Sequence, residues 1–422
     1  MMKRNNILVI LFLLLTASVA TAFAENGMNS PYTRFGYGQL SLPDLGAHKA
    51  MGGTGIGMRN ANQLNLLNPA SYSSVDTLTF ILDMGVSVQN TNFAENGVRM
   101  NARNSTFDYI AAQYRLRRGL GMTLAYIPYA NAGYEYMTSD EILTDEDGTI
   151  STTNKYSGDG GLRKMMVGLG WSPFKWISVG ANAGYCYGEL QHSVENSYSQ
   201  SAINARTKIY SADFEAFCFD LGAQLSFGNK KNHFVLGATY DPGLTFSHQP
   251  YAVDYVLANS IATSADTVHF KPFSLPETLG AGLSYCYDER LTVAADASLS
   301  RFGSSLFFDQ PGVDRYRASL GVEYIPATIS KNFFMRLRYR AGLYYATNYF
   351  QVNGTAGPAG SGASIGVGIP ILNAWNQRCA VNIAGQVVHM EPAAPGMITE
   401  NYMRLNLSVS FIENWFAKWK VN

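Results

Sequence analysis

Apolar and polar residues alternate with a period of two along most of the chain. Apolar side chains occupy every second position from Phe219 to Phe227 and again from Met335 to Tyr345, with mostly polar residues or glycine between them. This alternation is typical of β-strands that have one apolar and one polar face. The pattern predicts fourteen strands, at 77–91, 104–117, 119–137, 161–173, 176–192, 205–228, 233–247, 274–287, 290–302, 313–326, 332–347, 361–373, 378–390 and 400–413.

The connections between these strands alternate in length. Even-numbered connections are short, as at 117–119 and 288–290, whereas the odd-numbered ones are mostly longer and polar, as at 92–103, 138–160 and 248–273. Short periplasmic turns and longer external loops are typical of outer-membrane β-barrels, and a soluble sandwich gives no reason for this alternation. We therefore predict an all-β protein, a transmembrane antiparallel β-barrel of about 14 strands with an N-terminal hatch or plug segment.

The N-terminus predicts export. Lys3 and Arg4 precede nine apolar residues at 7–15, and Ala22-Phe23-Ala24 has the small-residue pattern of a cleavage site. These are the features of a secretory signal peptide at 1–24, and nine apolar residues are too few to span a bilayer as a helix. Because the later sequence has no long apolar run, we expect an integral protein of the outer membrane of a Gram-negative bacterium.

The chain divides into four predicted parts. The signal peptide is followed by an N-terminal segment at 25–76, the barrel at 77–413 and a periplasmic extension at 414–422. The N-terminal segment contains a glycine-rich stretch, and its apolar residues and turn signals favour a compact plug over a disordered tail or a periplasmic module. The five tryptophans lie beside short connections or after the last strand, where a periplasmic membrane interface is expected.

Composition narrows the class of protein. Charged residues make up only 15% and aromatic residues 13%, which argues against a soluble enzyme with a charged surface and against a disordered chain. The 31 basic and 31 acidic residues balance, so there is no electrostatic case for a nucleic-acid partner.

Motifs for catalysis, metals and cofactors are missing from the sequence. The six histidines have no metal-ligand spacing, and no nucleophile motif occurs. We predict no enzyme activity, catalytic residue, metal or cofactor, and keep an outer-membrane hydrolase built from separate strands as a minor alternative. The positions of the four cysteines, Cys186, Cys218, Cys286 and Cys379, indicate small residues of the barrel wall more than a disulfide framework.

Three arginines form the one constellation that suggests ligand binding. Arg336, Arg338 and Arg340 alternate with Leu337 and Tyr339. If the apolar residues face lipid, the arginines face the lumen, because arginine facing lipid costs about 2–4 kcal/mol near the midplane. The stripe then either binds a carboxylate or phosphate headgroup or forms a ladder paired with acids of the plug or the wall, such as Asp44, Asp76 or Glu323.

The order of these features resembles a known family. An exported barrel preceded by Gly52, Gly53 and Gly55, and then by Asn68-Pro69-Ala70, is similar to the FadL-type long-chain fatty-acid transporter superfamily and its PorV-like Bacteroidota relatives. The sequences at 275–277, 280–285 and 291–296 also resemble a strand pair of that family. The resemblance implies a fourteen-stranded barrel closed by a hatch. It places Gly52, Gly53, Gly55, Asn68, Pro69 and Ala70 in the hatch or its gate.

Two functions remain open from the sequence. The first is passive uptake of a hydrophobic or amphipathic small molecule, with outer-membrane lipid around the barrel. The resemblance to PorV-like relatives implies the second, a non-transporting accessory or scaffold subunit of an outer-membrane protein assembly or type IX secretion machine, with other machinery proteins or lipoproteins as partners. The first predicts a continuous apolar lumen, and the second predicts a filled lumen with neutralised arginines.

Overall fold

The protein forms a closed barrel of fourteen antiparallel strands. A computed structural model describes residues 28–76, 79–95, 97–145, 148–200, 203–258, 261–327, 330–371 and 379–414. The barrel strands are β1 (Thr79–Glu95), β2 (Val98–Arg117), β3 (Leu120–Asp145), β4 (Gly148–Phe174), β5 (Ile177–Tyr198), β6 (Ala205–Gly228), β7 (Asn232–Asp241), β8 (Thr278–Tyr287), β9 (Leu291–Ser300), β10 (Arg315–Tyr324), β11 (Arg338–Ala346), β12 (Ala359–Pro370), β13 (Ala380–Glu391) and β14 (Thr399–Asn414).

Each barrel strand pairs with its sequence neighbours, and the last strand pairs with the first. The closing pair, β1 with β14, runs from Thr79 opposite Asn414 to Ala94 opposite Thr399. Closure leaves no barrel edge with unpaired backbone groups, as a wall within lipid requires. The predicted fold class and the predicted fourteen strands are confirmed.

Side chains alternate between the two faces of the wall. On β6, Phe217, Phe219 and Leu221 are exposed, whereas Cys218 and Gln224 are buried inside the barrel. The outward rows of the other strands are likewise rich in exposed Leu, Val, Ile, Phe and Tyr. An apolar outer surface and a polar interior are the arrangement that a bilayer demands of a barrel.

Several predicted boundaries are wrong. The stretches 92–103 and 138–160, predicted as loops, are hairpins in which the strands continue; β3 has 26 residues and β4 has 27. About 9–11 residues cross a membrane as a tilted strand, so both strands extend well beyond that length. Within 248–273, the strands Tyr251–Ala258 and Ile261–His269 form a further hairpin that extends the sheet from β6.

The two ends of the barrel differ. One end, called the turn end here, carries tight connections such as 118–119 and 288–290, and the other, the loop end, carries long ones such as 242–277 and 301–314. Trp171 and Trp176 are exposed beside a connection of the turn end, as predicted. Trp375, Trp415 and Trp419, the signal peptide and nearly all of the extension at 414–422 lie outside the described residues.

The N-terminal segment, residues 28–76, lies against the inner face of the wall. It contains the 3₁₀ helices Pro31–Arg34 and Pro69–Ser74, the helix α1 (Gly46–Lys49), and the short strand Gln39–Leu40 that pairs with β3. Most of its side chains are buried. Among the residues that the structure describes, no helix has the length and apolarity needed to cross a membrane.

Candidate functional site

The glycine-rich stretch of the N-terminal segment is held by polar side chains of the wall. Gly52 N donates to Ser364 Oγ at 2.9 Å, and Gly52 O accepts a hydrogen bond from Arg317. The backbone amides of Gly55 and Ile56 both donate to Asp296 Oδ2, at 2.6 and 2.9 Å. Gly52 and Gly53 have φ values of +69° and +71°, which glycine adopts without strain. The stretch is therefore fixed to β9, β10 and β12.

The Asn-Pro-Ala stretch is equally buried. Asn68 Oδ1 caps the following 3₁₀ helix by accepting from Ala70 N at 3.0 Å, and Asn68 Nδ2 donates to Ile56 O at 2.9 Å. Pro69 packs against Gly180 and Gly222, where an added Cβ atom would overlap the proline. Asn68, Pro69 and Ala70 thus join two turns of the N-terminal segment to β5 and β6. Their predicted hatch role stays a prediction.

The three predicted arginines do not form one stripe. The strand starts at Arg338, and Arg336 instead ends the helix α2 (Phe333–Arg336), which Asn332 caps by accepting from Phe334 N. Leu337 was expected to face lipid, but it is only 6% exposed. The cap and the helical turn break the alternation, so the expected strand geometry of Arg336 is wrong. Arg338 and Arg340 lie on β11, where Arg340 is buried.

Arg340 has protein partners. Its Nε lies 2.6 Å from Glu323 Oε2, its Nη1 donates to Asn382 Oδ1 at 2.8 Å, and Gln63 Nε2 of the N-terminal segment donates to the same carboxylate at 3.4 Å. A cavity of only about 10 Å³ remains beside Arg338 and Arg340. These are the contacts of the paired ladder with Glu323 that the sequence offered as the alternative, and a ligand role for the three arginines stays a prediction.

Further polar contacts hold the N-terminal segment on other sides of the barrel. Lys49 Nζ lies 2.8 Å from Asp108 Oδ2, and Gln386 Nε2 donates to Lys49 O at 2.9 Å. Tyr109 Oη accepts from Gly46 N at 2.8 Å and donates to Asp83 at 2.6 Å. Inward residues of strands around the barrel thus bind the same segment.

Aromatic rings fill the interior near the loop end. Tyr37 of the N-terminal segment has no exposed surface, and its ring centroid lies 5.0 Å from that of Phe307 and 5.5 Å from that of Phe214. Edge-to-face contacts of this kind are favourable for aromatic pairs. The other rings of this outer aromatic cluster are Phe246, Phe273, Phe302, Tyr349 and Phe350.

A cavity of about 180 Å³ with both polar and apolar lining lies beside this cluster, between the N-terminal segment and strands β10 to β14 and β1 to β3. Its basic residues include Arg315, Arg317 and Arg404, none of which is among the site residues predicted from the sequence. The signal was present, because Arg315-Tyr316-Arg317 shows the same alternation of arginine with an apolar residue as 336–340.

Clusters of metal-binding side chains are not assembled in the described part of the chain. Within it, no cluster of three or more His, Cys, Asp or Glu side chains has a geometry for a metal ion. All four cysteines are free, and the sulfur atoms of Cys186 and Cys218 lie 3.1 Å apart inside the barrel.

Solved structures of FadL-type proteins are similar to this chain. The Pseudomonas putida toluene transporter TodX has 15% identity and a TM-score of 0.60, with 90% of this chain and 100% of that chain covered. A Pseudomonas aeruginosa FadL homologue has 11% identity, coverage of 89% and 99%, and a TM-score of 0.59. The Ralstonia pickettii toluene transporter TbuX has 13% identity, coverage of 87% and 97%, and a TM-score of 0.54. These likenesses show the fold.

The family comparison covers the whole chain. A family model described as BamG matches residues 1–422. No protein with curated annotation matches the sequence. The FadL-like fold predicted from the sequence is confirmed, whereas the Bacteroidota origin and the relation to PorV-type proteins stay predictions.

Proposed function

The chain belongs to the BamG family, and from this premise we propose that it is an outer-membrane barrel serving as a non-transporting accessory subunit of a machine that assembles outer-membrane proteins. The family name points to barrel assembly rather than to type IX secretion. The observation that carries the proposal is the filling of the barrel by residues 28–76, which we interpret as a fixed plug.

A fixed plug is consistent with the contacts of the N-terminal segment. Wall side chains on opposite parts of the barrel, including Asp296, Gln224 and Gln386, bind its backbone directly. A segment that moves with each transported molecule would have to break these bonds together, and a buried polar group left without its partner costs about 1–3 kcal/mol. We infer that the hatch residues Gly52, Gly53, Gly55, Asn68, Pro69 and Ala70 hold the plug in place.

The described part of the barrel interior contains closely packed aromatic side chains. Near the loop end, the outer aromatic cluster is packed ring against ring around the buried Tyr37. The cavity beside it is lined by apolar side chains such as Met28 and Phe107, but also by seven charged residues. Hydrophobic ligands need pockets lined mainly by apolar side chains, with few polar groups. This arrangement favours a structural barrel over an uptake channel.

Passive uptake of a hydrophobic or amphipathic molecule is the competing function. The similar solved structures include toluene transporters, and at 11–15% identity the likeness shows only a common fold. Uptake requires the plug to leave a passage, and a ligand that travels with the purified protein would support it. The accessory role requires stable association with other outer-membrane proteins.

The deciding experiment is mild extraction of the tagged chain from native membranes, followed by mass spectrometry of bound proteins and lipids. An unrelated tagged barrel expressed at the same level is the matched control. We expect a stoichiometric set of outer-membrane machinery proteins and lipoproteins, and a drop in folded outer-membrane barrels after depletion of the chain. A solitary barrel that carries a defined hydrophobic molecule, with other barrels unaffected by depletion, would contradict the proposal.

A further inference from the structure

The cavity of about 180 Å³ near the loop end has one more basic than acidic residue in its lining. Lys49, Arg315, Arg317 and Arg404 line it together with three acids, Asp44, Asp108 and Glu400. Its volume of about 180 Å³ is far above the roughly 10–15 Å³ that one water molecule requires. The cavity therefore has room for an ion or a small polar group of several atoms.

The arginines of this cavity lack carboxylate partners. Within the described part of the chain, none of Arg315, Arg317 and Arg404 lies within ion-pair distance of an acid. Arg404 donates to Gln89 Oε1, at 3.0 Å from Nε, and its guanidinium lies 5.4 Å from the centre of the Tyr402 ring. Arg317 donates to Ser319 and to Gly52 O, and its guanidinium lies 5.1 Å from the centre of the Tyr344 ring.

Arg315 is the freest of the three. The described residues give its side chain neither a hydrogen bond nor an ion pair, although it lies on the same inward row of β10 as Arg317. A guanidinium group carries five donors and is always charged. An unpaired guanidinium beside a second one is unfavourable unless an anion or water lies between them.

The acids of the cavity do not form ion pairs with its arginines at 4 Å or less among the described residues. Asp108 pairs with Lys49 at 2.8 Å, and Glu400 accepts from Ser30 Oγ at 2.6 Å. Asp44 is buried on the N-terminal segment, where burial raises the pKa of its carboxyl and the nearby charges of Lys49, Arg317 and Arg404 oppose the shift. Two of the three acids are thus already bonded, and the three arginines retain most of their donors.

We propose that this cavity is a binding site for a small anion, namely a phosphate or carboxylate group of a solute or of a lipid headgroup. Planar guanidinium groups match both oxyanions through paired hydrogen bonds. Arg315 and Arg404 supply free donors from two sides, and Arg317, fixed by Gly52 O, lines the cavity beside the N-terminal segment. The site is independent of the proposed assembly role, because it is defined on the isolated barrel.

The test uses the full barrel purified in a neutral detergent. Calorimetric titration with pyrophosphate, citrate and short-chain phosphatidylglycerol separates phosphate, carboxylate and lipid sources. The variants are Arg315→Gln and Arg404→Gln, and the matched control is Arg99→Gln, which removes the same charge from an exposed position of β2. The shift in gel mobility on heating checks that each variant is folded.

We expect at least one of the three probes to bind in the micromolar to millimolar range, weakened about tenfold or more by each cavity variant and unchanged by Arg99→Gln. Binding should also weaken as salt is raised. Failure of all three probes to bind at millimolar concentration, or equal binding by wild type and both cavity variants, would overturn the proposal. Neither result bears on whether the chain copurifies with an assembly machine.

Discussion

Arg340 Nε and Glu323 Oε2 lie 2.6 Å apart in the barrel interior, and both side chains are almost fully buried. The two residues are direct partners across β10 and β11. Gln63 of the N-terminal segment donates to the same carboxylate, so the ion pair also contacts that segment. The pair thus connects the wall to the plug that we propose.

The first prediction concerns this ion pair. Replacement of Glu323 by Gln should lower the free energy of unfolding by about 3–5 kcal/mol, because it leaves the Arg340 charge buried without a counter-charge. The measurement is chemical unfolding in detergent, followed by tryptophan fluorescence. The matched control is Glu277→Gln, which breaks an exposed pair with Arg301 and should cost no more than about 1 kcal/mol. Equal effects of the two substitutions would refute this account.

The strands were predictable from the sequence because successive side chains of a barrel strand point alternately to lipid and to the interior, so that apolar and polar residues alternate with a period of two. The ends of β3 and β4 were not, since both faces of a strand beyond the membrane contact water and the alternation fades into polar residues. At Leu337 the prediction made the opposite error and extended a strand too far. The alternation continues through Leu337, but the residues before it form a helix and Leu337 itself is buried in the connection that follows.

The contacts within the barrel could be predicted only in part. The lumen-facing orientation of Arg338 and Arg340 followed from the cost of charge in lipid. Pairing with Glu323 was only one of the alternatives that the sequence left open. The binding of Gly55 by Asp296 did not, because the residues are far apart in the chain and no local period encodes their register. For the same reason, the sequence did not predict the cavity that Arg315 and Arg404 both line.

The second prediction concerns the close contact between the wall and the N-terminal segment at Gly342. A Cβ atom there would overlap the backbone of Met51 and Gly52. The backbone at Met51 and Gly52 forms a tight turn that cannot move aside locally. Gly342→Ala should therefore displace the N-terminal segment, and we expect the barrel itself to stay closed. We expect faster proteolysis of residues 28–76 and higher ion conductance in planar bilayers. Gly385→Ala is the control, since nothing lies within 4 Å of a Cβ atom at that position; similar behaviour of both variants would exclude this mechanism.

The third prediction concerns Asp296, whose carboxylate binds the amides of Gly55 and Ile56. Asp296→Asn should weaken the attachment of this stretch by about 1.5–3 kcal/mol, the usual contribution of hydrogen bonds to a charged group. Hydrogen exchange at Gly55 and Ile56 should accelerate by at least tenfold, or about 1.4 kcal/mol.

Asp314→Asn provides the control for this substitution, because Asp314 also binds one backbone amide, that of Gly303, but in an exposed loop. Exchange at Gly55 should be unaffected by it. Unchanged exchange in Asp296→Asn would show that packing, rather than this carboxylate, fixes the glycine-rich stretch.

The fourth prediction concerns His48, which is 2% exposed and has no partner for Nδ1. Burial, with a smaller contribution from nearby Arg340, lowers the pKa of His48 to about 4 from its ordinary value of 6.5, and Glu323 opposes the shift. The docked N-terminal segment therefore holds neutral His48, whereas a released segment takes up a proton below pH 6.5. The contribution of His48 to docking should be constant above pH 6.5 and should fall by about 1.4 kcal/mol per pH unit as the pH falls from 6.5 toward 4. Asp44 and Glu400, whose pKa values burial raises, act in the opposite direction, so the comparison with a His48 variant isolates this contribution.

The measurement is hydrogen exchange or limited proteolysis of residues 28–76 at a series of pH values, corrected for the intrinsic pH dependence of each method. His48→Gln keeps a neutral polar side chain that does not titrate, so its docking should depend less steeply on pH over the same range. A wild-type profile as shallow as that of the variant would mean that His48 stays neutral in the released segment or gains a proton without leaving its site. Because the titration acts on the segment and not on the wall, heat-dependent gel mobility of the barrel should not change over this range.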